Sequence, residues 1–465
     1  MKQEAIGRRS FLAGAGAAGI ALALGRAIAS SPAGVNSAPN ILFILADDLG
    51  YADLSCYGRT DFTTPTLDGL AAQGLQFTQG YANSSVCSAT RTALVTGRYQ
   101  YRLPVGLEEP VRDLEHAGLP PGHPTLPSLL RRAGYRTSLI GKWHVGSVVD
   151  AGPTKYGYDS FFGIAGGGAD YFSHLVDPSG KTPNDGLYAN TTPIERHGYL
   201  TNLLADEAIR QIETPSSAPF FMSLHFNAPH WPWEGPGDED VSRKLTDLRH
   251  LDGGNLATYA AMVRSLDANI GRVLEALRKR GVEENSIVVF TSDNGGERFS
   301  DTWPFVGLKS ELLEGGIRVP LIVRWPKRVR AGGRSEQVMI SMDFLPTLLA
   351  AADTTPDPAF PPDGENLLAV WLGEATARPR RIYWRYKANE QAALRDGDWK
   401  YLKLAGREHL FDLAADVRER ANLKDRDPER FARMKADYGA WDKTMLAYPP
   451  ESVSGPAKDW YSDRY

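Results

Sequence analysis

Two pairs of oxygen-bearing residues stand where apolar runs end. Asp47-Asp48 closes the run N-I-L-F-I-L-A at 40–46, and Asp293-Asn294 follows the run at 287–291. Three carboxylates and one amide oxygen suit a hard divalent cation such as Ca²⁺ or Mg²⁺ rather than Zn²⁺. Without a cation, three carboxylates in one cleft repel and at least one is pushed toward protonation. Other reactive groups are placed similarly: Lys142 and His144 follow an apolar run at 135–140, and His230 follows one at 220–226. Cys87 sits at the expected start of a helix with Arg91 one turn on, and Lys309 precedes E-L-L-E-G-G. Singly, each has a structural reading: Cys87 as a buried thiol or the partner of Cys56, Arg91 as an exposed helix residue, His144 as a packed histidine, the lysines as solvated charges.

The elements that must position these groups follow from the pattern of the chain. Continuous apolar runs at 40–46, 135–140, 220–226 and 287–291 read as strands buried on both faces. Amphipathic segments at 66–73, 125–133, 200–212 and 255–280 read as helices between them. This alternation predicts an α/β architecture, a largely parallel central sheet sandwiched by helices. In such a sheet the loops leaving the carboxyl ends of the strands share one edge, which is where ligands bind. Residues distant in sequence then meet in one cleft.

A helix at 342–351 is expected to end this unit, and the proline-rich stretch 354–364 reads as a connection. Beyond it, short strand patterns at 382–386, 392–395, 399–404 and 409–413 and a helix at 428–441 suggest an antiparallel sheet. The organisation expected is therefore a leader at 1–29, a catalytic domain at 30–355 and a small α+β domain at 356–465.

The amino terminus reads G-R-R-S-F-L-A at 7–13, then a glycine-broken, weakly apolar stretch to 28, with Ala27-Ile28-Ala29 as a small-x-small cleavage pattern. It looks like a twin-arginine export signal, with the mature chain starting near Ser30, and implies the Tat machinery as a partner and a periplasmic or secreted product. No other stretch is long and apolar enough for a stable membrane anchor. The net charge of -4, without a Lys/Arg block, argues against nucleic acid. Two cysteines exclude a disulfide-dense scaffold.

Residues 87–99, C-S-A-T-R-T-A-L-V-T-G-R-Y, resemble the signature of the sulfatase family, whose cysteine is converted to formylglycine. Asp47-Asp48, G-K-W-H at 141–144, A-P-H at 228–230, S-D-N-G at 292–295 and K-S-E-L-L-E-G-G-I-R-V-P at 309–320 match further motifs of that family in order. Together they cover most of 40–351. The resemblance implies an alkaline-phosphatase-like fold and hydrolysis of a sulfate monoester, on an aryl group or a carbohydrate.

It implies further that Asp47, Asp48, Asp293 and Asn294 bind a metal together with modified Cys87, Ca²⁺ being expected ahead of Mg²⁺. Arg91 is implied as the stabiliser of the hydrated aldehyde, Lys142 and Lys309 as sulfate-binding lysines, His144 as the group that orients the hydrate and takes its proton, and His230 as the donor at the ester oxygen, with His225 the competitor for that role. An aldehyde hydrate suits the task, because one hydroxyl attacks sulfur and the second lets the sulfated intermediate collapse, whereas a thiol would be left as a thiosulfate ester. A formylglycine-generating maturation enzyme is the implied partner. Ala89 stands where many sulfatases have proline, so which system modifies Cys87 is left open by the sequence. The loops at 101–121, 165–190 and 231–254 are expected to shape the pocket, with Tyr101, Tyr171, Phe172, Trp231 and Trp233 as stacking or packing residues. Two alternatives stand beside this reading. One is a phosphonate or phosphate ester hydrolase of the same superfamily; the other is a sulfoglycan-binding protein with unconverted Cys87.

Overall fold

Strand β1 (Asn40–Ala46) alternates its contacts: Leu42, Ile44 and Ala46 face one hydrophobic cluster, and Ile41, Phe43 and Leu45 face another. A strand apolar on both sides needs a helical layer on each. The computed structural model describes residues 38–455 except 113, 183, 184 and 453, and the leader expected at 1–29 lies outside them. The remaining strands in chain order are β2 (Leu75–Phe77), β3 (Gly80–Tyr81), β4 (Arg136–Lys142), β5 (Ser160–Ile164), β6 (Leu187–Ala189), β7 (Thr192–Ile194) and β8 (Phe220–His225). After them come β9 (Ser286–Ser292), β10 (Leu321–Arg324), β11 (Gly333–Ser335), β12 (Met339–Ile340), β13 (Arg381–Tyr386), β14 (Gln391–Asp396), β15 (Trp399–Leu404) and β16 (Arg407–Asp412).

The central sheet has ten strands in the order β11-β2-β10-β9-β1-β8-β4-β5-β6-β7. Its middle, from β9 through β1, β8 and β4 to β5, is parallel. Its flanks are mixed: β10 runs against β9 and β2, β6 and β7 fold back beyond β5, and β11 pairs with β2 in parallel at the edge. The four long apolar runs are thus the strands at the heart of the sheet. The shorter flanking strands carry too little periodic sequence to stand out.

One face of the sheet is covered by the helices Pro65–Ala72, Leu200–Glu213 and Leu256–Lys279. The other is covered by Leu126–Arg132 and Phe344–Ala351. Thr125 caps Leu126–Arg132, its hydroxyl accepting from the Ser128 amide while the Ser128 side chain returns to the Thr125 amide. The helix expected at 342–351 begins instead with a 3₁₀ turn, Ser341–Asp343, because the Asp343 carboxylate is taken up by the Ile340 amide and by Arg380.

Strands β13 to β16 form a separate antiparallel sheet, turned at Gly397 with a left-handed φ of 61°, and the helix Pro428–Asp442 packs on it. Ile382, Trp384 and Ala393 of this sheet share a core with Val86, Ala89 and Ala93. The helix Cys87–Thr96 is therefore backed by residues distant in the chain. Among the described residues no helix is long and apolar enough to cross a membrane.

Candidate active site

Because β1 and β9 are parallel neighbours in register from Asn40–Ser286 to Ala46–Ser292, the residues that follow them emerge side by side. The Asp48 amide donates to Asp293 Oδ1 (3.3 Å), and Asn294 Nδ2 donates to Asp48 Oδ1 (2.7 Å). Asp48 reaches this position through a left-handed backbone (φ 61°), a conformation that aspartate tolerates better than most residues. Asp47, Asp48, Asp293 and Asn294 are all buried.

The helix Cys87–Thr96 brings its amino terminus to this floor. Val86, before it, offers no capping side chain, so the first-turn amides are not consumed by one. At the far end Gly97 takes φ 66°, and a Cβ there would lie 2.8 Å from Leu345 Cβ. Arg91 extends beneath Cys87 and donates through Nε to Asp293 Oδ2 (2.9 Å) and through Nη1 to the Lys142 carbonyl (2.9 Å); its Nη2 lies 3.7 Å from Asp47.

Each lysine reaches one carboxylate of the Asp47–Asp48 pair. Lys142, the last residue of β4, donates to Asp47 Oδ2 (2.5 Å) and to the Gly167 carbonyl (2.5 Å), and Lys309 donates to Asp48 Oδ2 (2.6 Å). Gly141 makes the placement of Lys142 feasible: its φ is 113°, and a Cβ would come within 1.8 Å of the His225 carbonyl.

Two histidines border the floor, His144 at Cys87 and His230 at Asp48. His144 Nδ1 lies 3.3 Å from Cys87 Sγ, while Nε2 lies 2.9 Å from the Val111 carbonyl. A carbonyl only accepts, so Nε2 carries the hydrogen and Nδ1 presents a lone pair to residue 87. Burial, then Lys142, hold His144 well below the ordinary histidine range. His230 donates from Nδ1 to the Trp231 carbonyl (2.7 Å), and its Nε2 lies 3.5 Å from Asp48 Oδ2. Burial, then Lys309 and Lys142, push it down as well.

The donor set fits a hard cation. Asp47, Cys87 and Asp293 each offer an atom within 4.8 Å of the others, as do Asp47, Asp48 and His230. Asp47 Oδ1 and Asn294 Oδ1 are buried with no hydrogen-bond partner. Burial and the neighbouring Asp293 raise Asp47 to about 8, the response expected of carboxylates gathered without a cation. Burial also raises the Cys87 thiol, against the pull of Lys142 and Lys309.

Above the floor opens a cavity of about 580 Å³, lined among others by Cys87, His144, His230, Trp231, Glu297 and Lys309. The ten residue positions proposed from sequence, counting Cys87 once, fall in this floor and cavity wall. His225 does not line the cavity; it lies below, near Arg91 Nη1 (3.4 Å) and the Lys142 carbonyl (3.3 Å). Of the five aromatics considered, Trp231 lines the cavity, whereas Tyr101, Tyr171 and Trp233 are buried in packing clusters and Phe172 packs on one. Cys56 and Cys87 are both free thiols. Gly166, Gly167 and Gly168, which line the cavity, lie in the loop at 165–190 expected to shape it, whereas sequence reasoning passed over Glu297, which lines it too. Glu297 stands three residues beyond Asn294, and that proximity to a candidate ligand was the available signal.

The chain is similar to known proteins in sequence and in fold. Residues 39–354 match the family model Sulfatase, and residues 308–436 match the C-terminal model of N-sulphoglucosamine sulphohydrolase. Arylsulfatase J of Mus musculus is 30% identical over 89% of this chain and 78% of its own. N-acetylgalactosamine-6-O-sulfatase of Bacteroides thetaiotaomicron is 30% identical, covering 84% and 90%. Among solved structures, Ps i-CgsB in complex with k-i-k-neocarrahexaose superposes with a TM-score of 0.81 at 30% identity, over 90% of this chain and 95% of that one. The phosphonate monoester hydrolase of Agrobacterium radiobacter shares the fold, with a TM-score of 0.64 at 22% identity over 90% of this chain and all of that one.

Proposed function

The chain belongs to the sulfatase family, in the alkaline phosphatase superfamily, and we propose from that premise that it hydrolyses sulfate monoesters of carbohydrates through a formylglycine made from Cys87. The observation that carries this reading is the convergence of Cys87 with Asp47 and Asp293 under a cavity ringed by Lys309, His144 and His230. The names of the galactosamine-sulfatase relative and of the carrageenan-oligosaccharide complex support a glycan substrate.

A Ca²⁺ or Mg²⁺ ion held by Asp47, Asp48, Asp293, Asn294 and residue 87 would supply positive charge against a bound sulfate. Formylglycine, once hydrated, would supply a hydroxyl nucleophile to sulfur and a second hydroxyl for turnover. The chain's own groups do the rest. Lys142 and Lys309 place ammonium charge where sulfate oxygens gain negative charge. His144, with Nε2 fixed by the Val111 carbonyl, keeps Nδ1 free to take a proton from residue 87. His230 faces the cavity beside Asp48 and, when protonated, is the donor to the leaving oxygen through Nε2; burial and Lys309 oppose that charge, and an anion bound beside Lys309 favours it. Arg91 orients Asp293 and thereby the floor beneath residue 87. Residues 30–355 act as the catalytic domain in this reading, with 356–465 as a small domain behind the Cys87 helix. Export through the Tat pathway, after maturation by a formylglycine-generating enzyme, places the product in the periplasm or outside the cell.

The test is sulfate release from glycan and aryl sulfates, with matched phosphonates, by protein whose residue 87 peptide shows the aldehyde by mass spectrometry. Sulfate turnover, lost in Cys87→Ala, is the expected result. Faster phosphonate turnover would reassign the chemistry. A peptide from the native host carrying only thiol, with no turnover, would make this a sulfoglycan-binding protein.

A further inference from the structure

Glu297 is 5% exposed, lines the cavity with His230, Trp231 and Lys309, and has one carboxylate oxygen, Oε2, with no hydrogen-bond partner. A buried carboxylate oxygen without a donor is costly, so this position is built to be completed by something that enters the cavity. The groups able to converge on an ion among the described residues, Asp47–Asp48–His230 and Asp47–Cys87–Asp293, do not include Glu297. It lines the cavity wall, in side-chain contact with Asp48 at the edge of the floor.

The neighbours of Glu297 decide what kind of group completes it. Lys309 and Asp48 are the charges nearest in effect, and Lys309 is already present as an ammonium. A cationic ligand group would meet that ammonium, and beyond it Lys142, with repulsion; a neutral hydroxyl donates a hydrogen bond without it. Trp231 forms the adjoining wall, its ring centroid 4.1 Å from that of His230 and 5.9 Å from Lys309 Nζ. An aromatic face beside a carboxylate acceptor matches a ring with an apolar face and hydroxyls at its edge. A ring whose ester oxygen faces His230 turns its neighbouring positions toward this wall.

We propose that Glu297 is a specificity-determining residue, accepting a hydrogen bond from a free sugar hydroxyl on a carbon next to the sulfated one. The proposal rests on the sulfatase reading and deepens it: the preferred substrate is a sulfated sugar with an unsubstituted neighbouring hydroxyl. A sugar substituted at that position is selected against, because the carboxylate is then left buried without its donor.

The experiment compares kcat/KM for methyl hexopyranoside monosulfates and for the same compounds deoxygenated at the carbons flanking the ester. It uses aldehyde-bearing wild type, Glu297→Ala and Glu297→Gln, with 4-nitrocatechol sulfate as a general sulfatase probe. Wild type is expected to lose roughly 10- to 100-fold when the flanking hydroxyl is removed. Glu297→Ala is expected to treat the two substrates alike within about 2-fold, and Glu297→Gln to fall between. A structural role would lower both substrates together and leave their ratio unchanged, and a wild-type ratio in both variants overturns the proposal while the sulfatase reading stands. If Glu297→Ala does not melt cooperatively, the Glu297→Gln ratio decides alone, and an unchanged ratio there overturns it. Absence of sulfate release by wild type from every ester, the catechol sulfate included, removes the sulfatase reading and this inference with it.

Discussion

His144 shows how one residue's task is set by the atom it is denied. Its Nε2 is committed to the Val111 carbonyl, its backbone is left-handed (φ 58°), and only Nδ1 reaches residue 87. Replacing His144 by Ala is expected to lower kcat by about 10²–10⁴-fold with a smaller change in KM, measured by steady-state sulfate release. Aldehyde content at residue 87 should be unaffected by mass spectrometry. Glu234 offers a test away from the reactive groups. It is fully buried, accepts from the Tyr171 amide (3.1 Å) through Oε2, and leaves Oε1 without a partner. Burial, then Asp170, raise it to about 8. A carboxyl raised on folding contributes stability that is present below its unfolded value of about 4.3 and is lost as pH rises through about 8. Wild type is therefore expected to lose up to roughly 1.4 kcal/mol per pH unit from this group between pH 6.5 and 8. Glu234→Gln keeps the acceptor and cannot ionise. Its melting temperature should fall less than wild type between pH 6.5 and 9, and parallel falls would refute the assignment.

At the scale of elements, the floor depends on how closely β4 approaches β8. Gly141 pairs with His225 in the parallel ladder, and the Gly163 position on β5 is equally tight, a Cβ there lying 1.9 Å from the Gly141 carbonyl. Gly141→Ala would have to push β4 away from β8 and carry Lys142 with it. The expected cost is roughly 2–4 kcal/mol, read by chemical denaturation, together with loss of sulfate release from the folded fraction. Here the sequence was partly legible. The run at 135–140 announced the strand, but G-K in its continuation reads equally as a turn, and only the ladder with β5 extends β4 to Lys142. The flanking strands β5 to β7, β10 and β11 were not legible, because three- to five-residue segments carry too few alternations to define a period.

At the scale of the molecule, the second sheet is joined to the segment carrying Lys309 through charge. Lys400 of β15, fully buried, donates to Glu314 (2.9 Å) and pairs with Glu419 (2.8 Å). Burial pushes Glu314 up, but Lys400, Arg318 and Arg395 together hold it down at about 2. Lys400→Met strands two buried carboxylates and is expected to cost about 3–5 kcal/mol in equilibrium unfolding. A change under about 1 kcal/mol would mean that the pair is not holding the two sheets. The sequence by itself determined the kinds of chemistry available, through residue type, and the shared edge on which they lie, through strands that end in polar residues. It could do so because those are local properties: a run of apolar residues, a residue after it, a cysteine before a helix. Which atom of each residue faces which neighbour was decided only by the tertiary structure. The Nδ1 of His144, the placing of His225 against the Lys142 carbonyl and the unpartnered oxygen of Glu297 all depend on tertiary packing, which for the two histidines joins residues 57 and 83 positions apart in the chain.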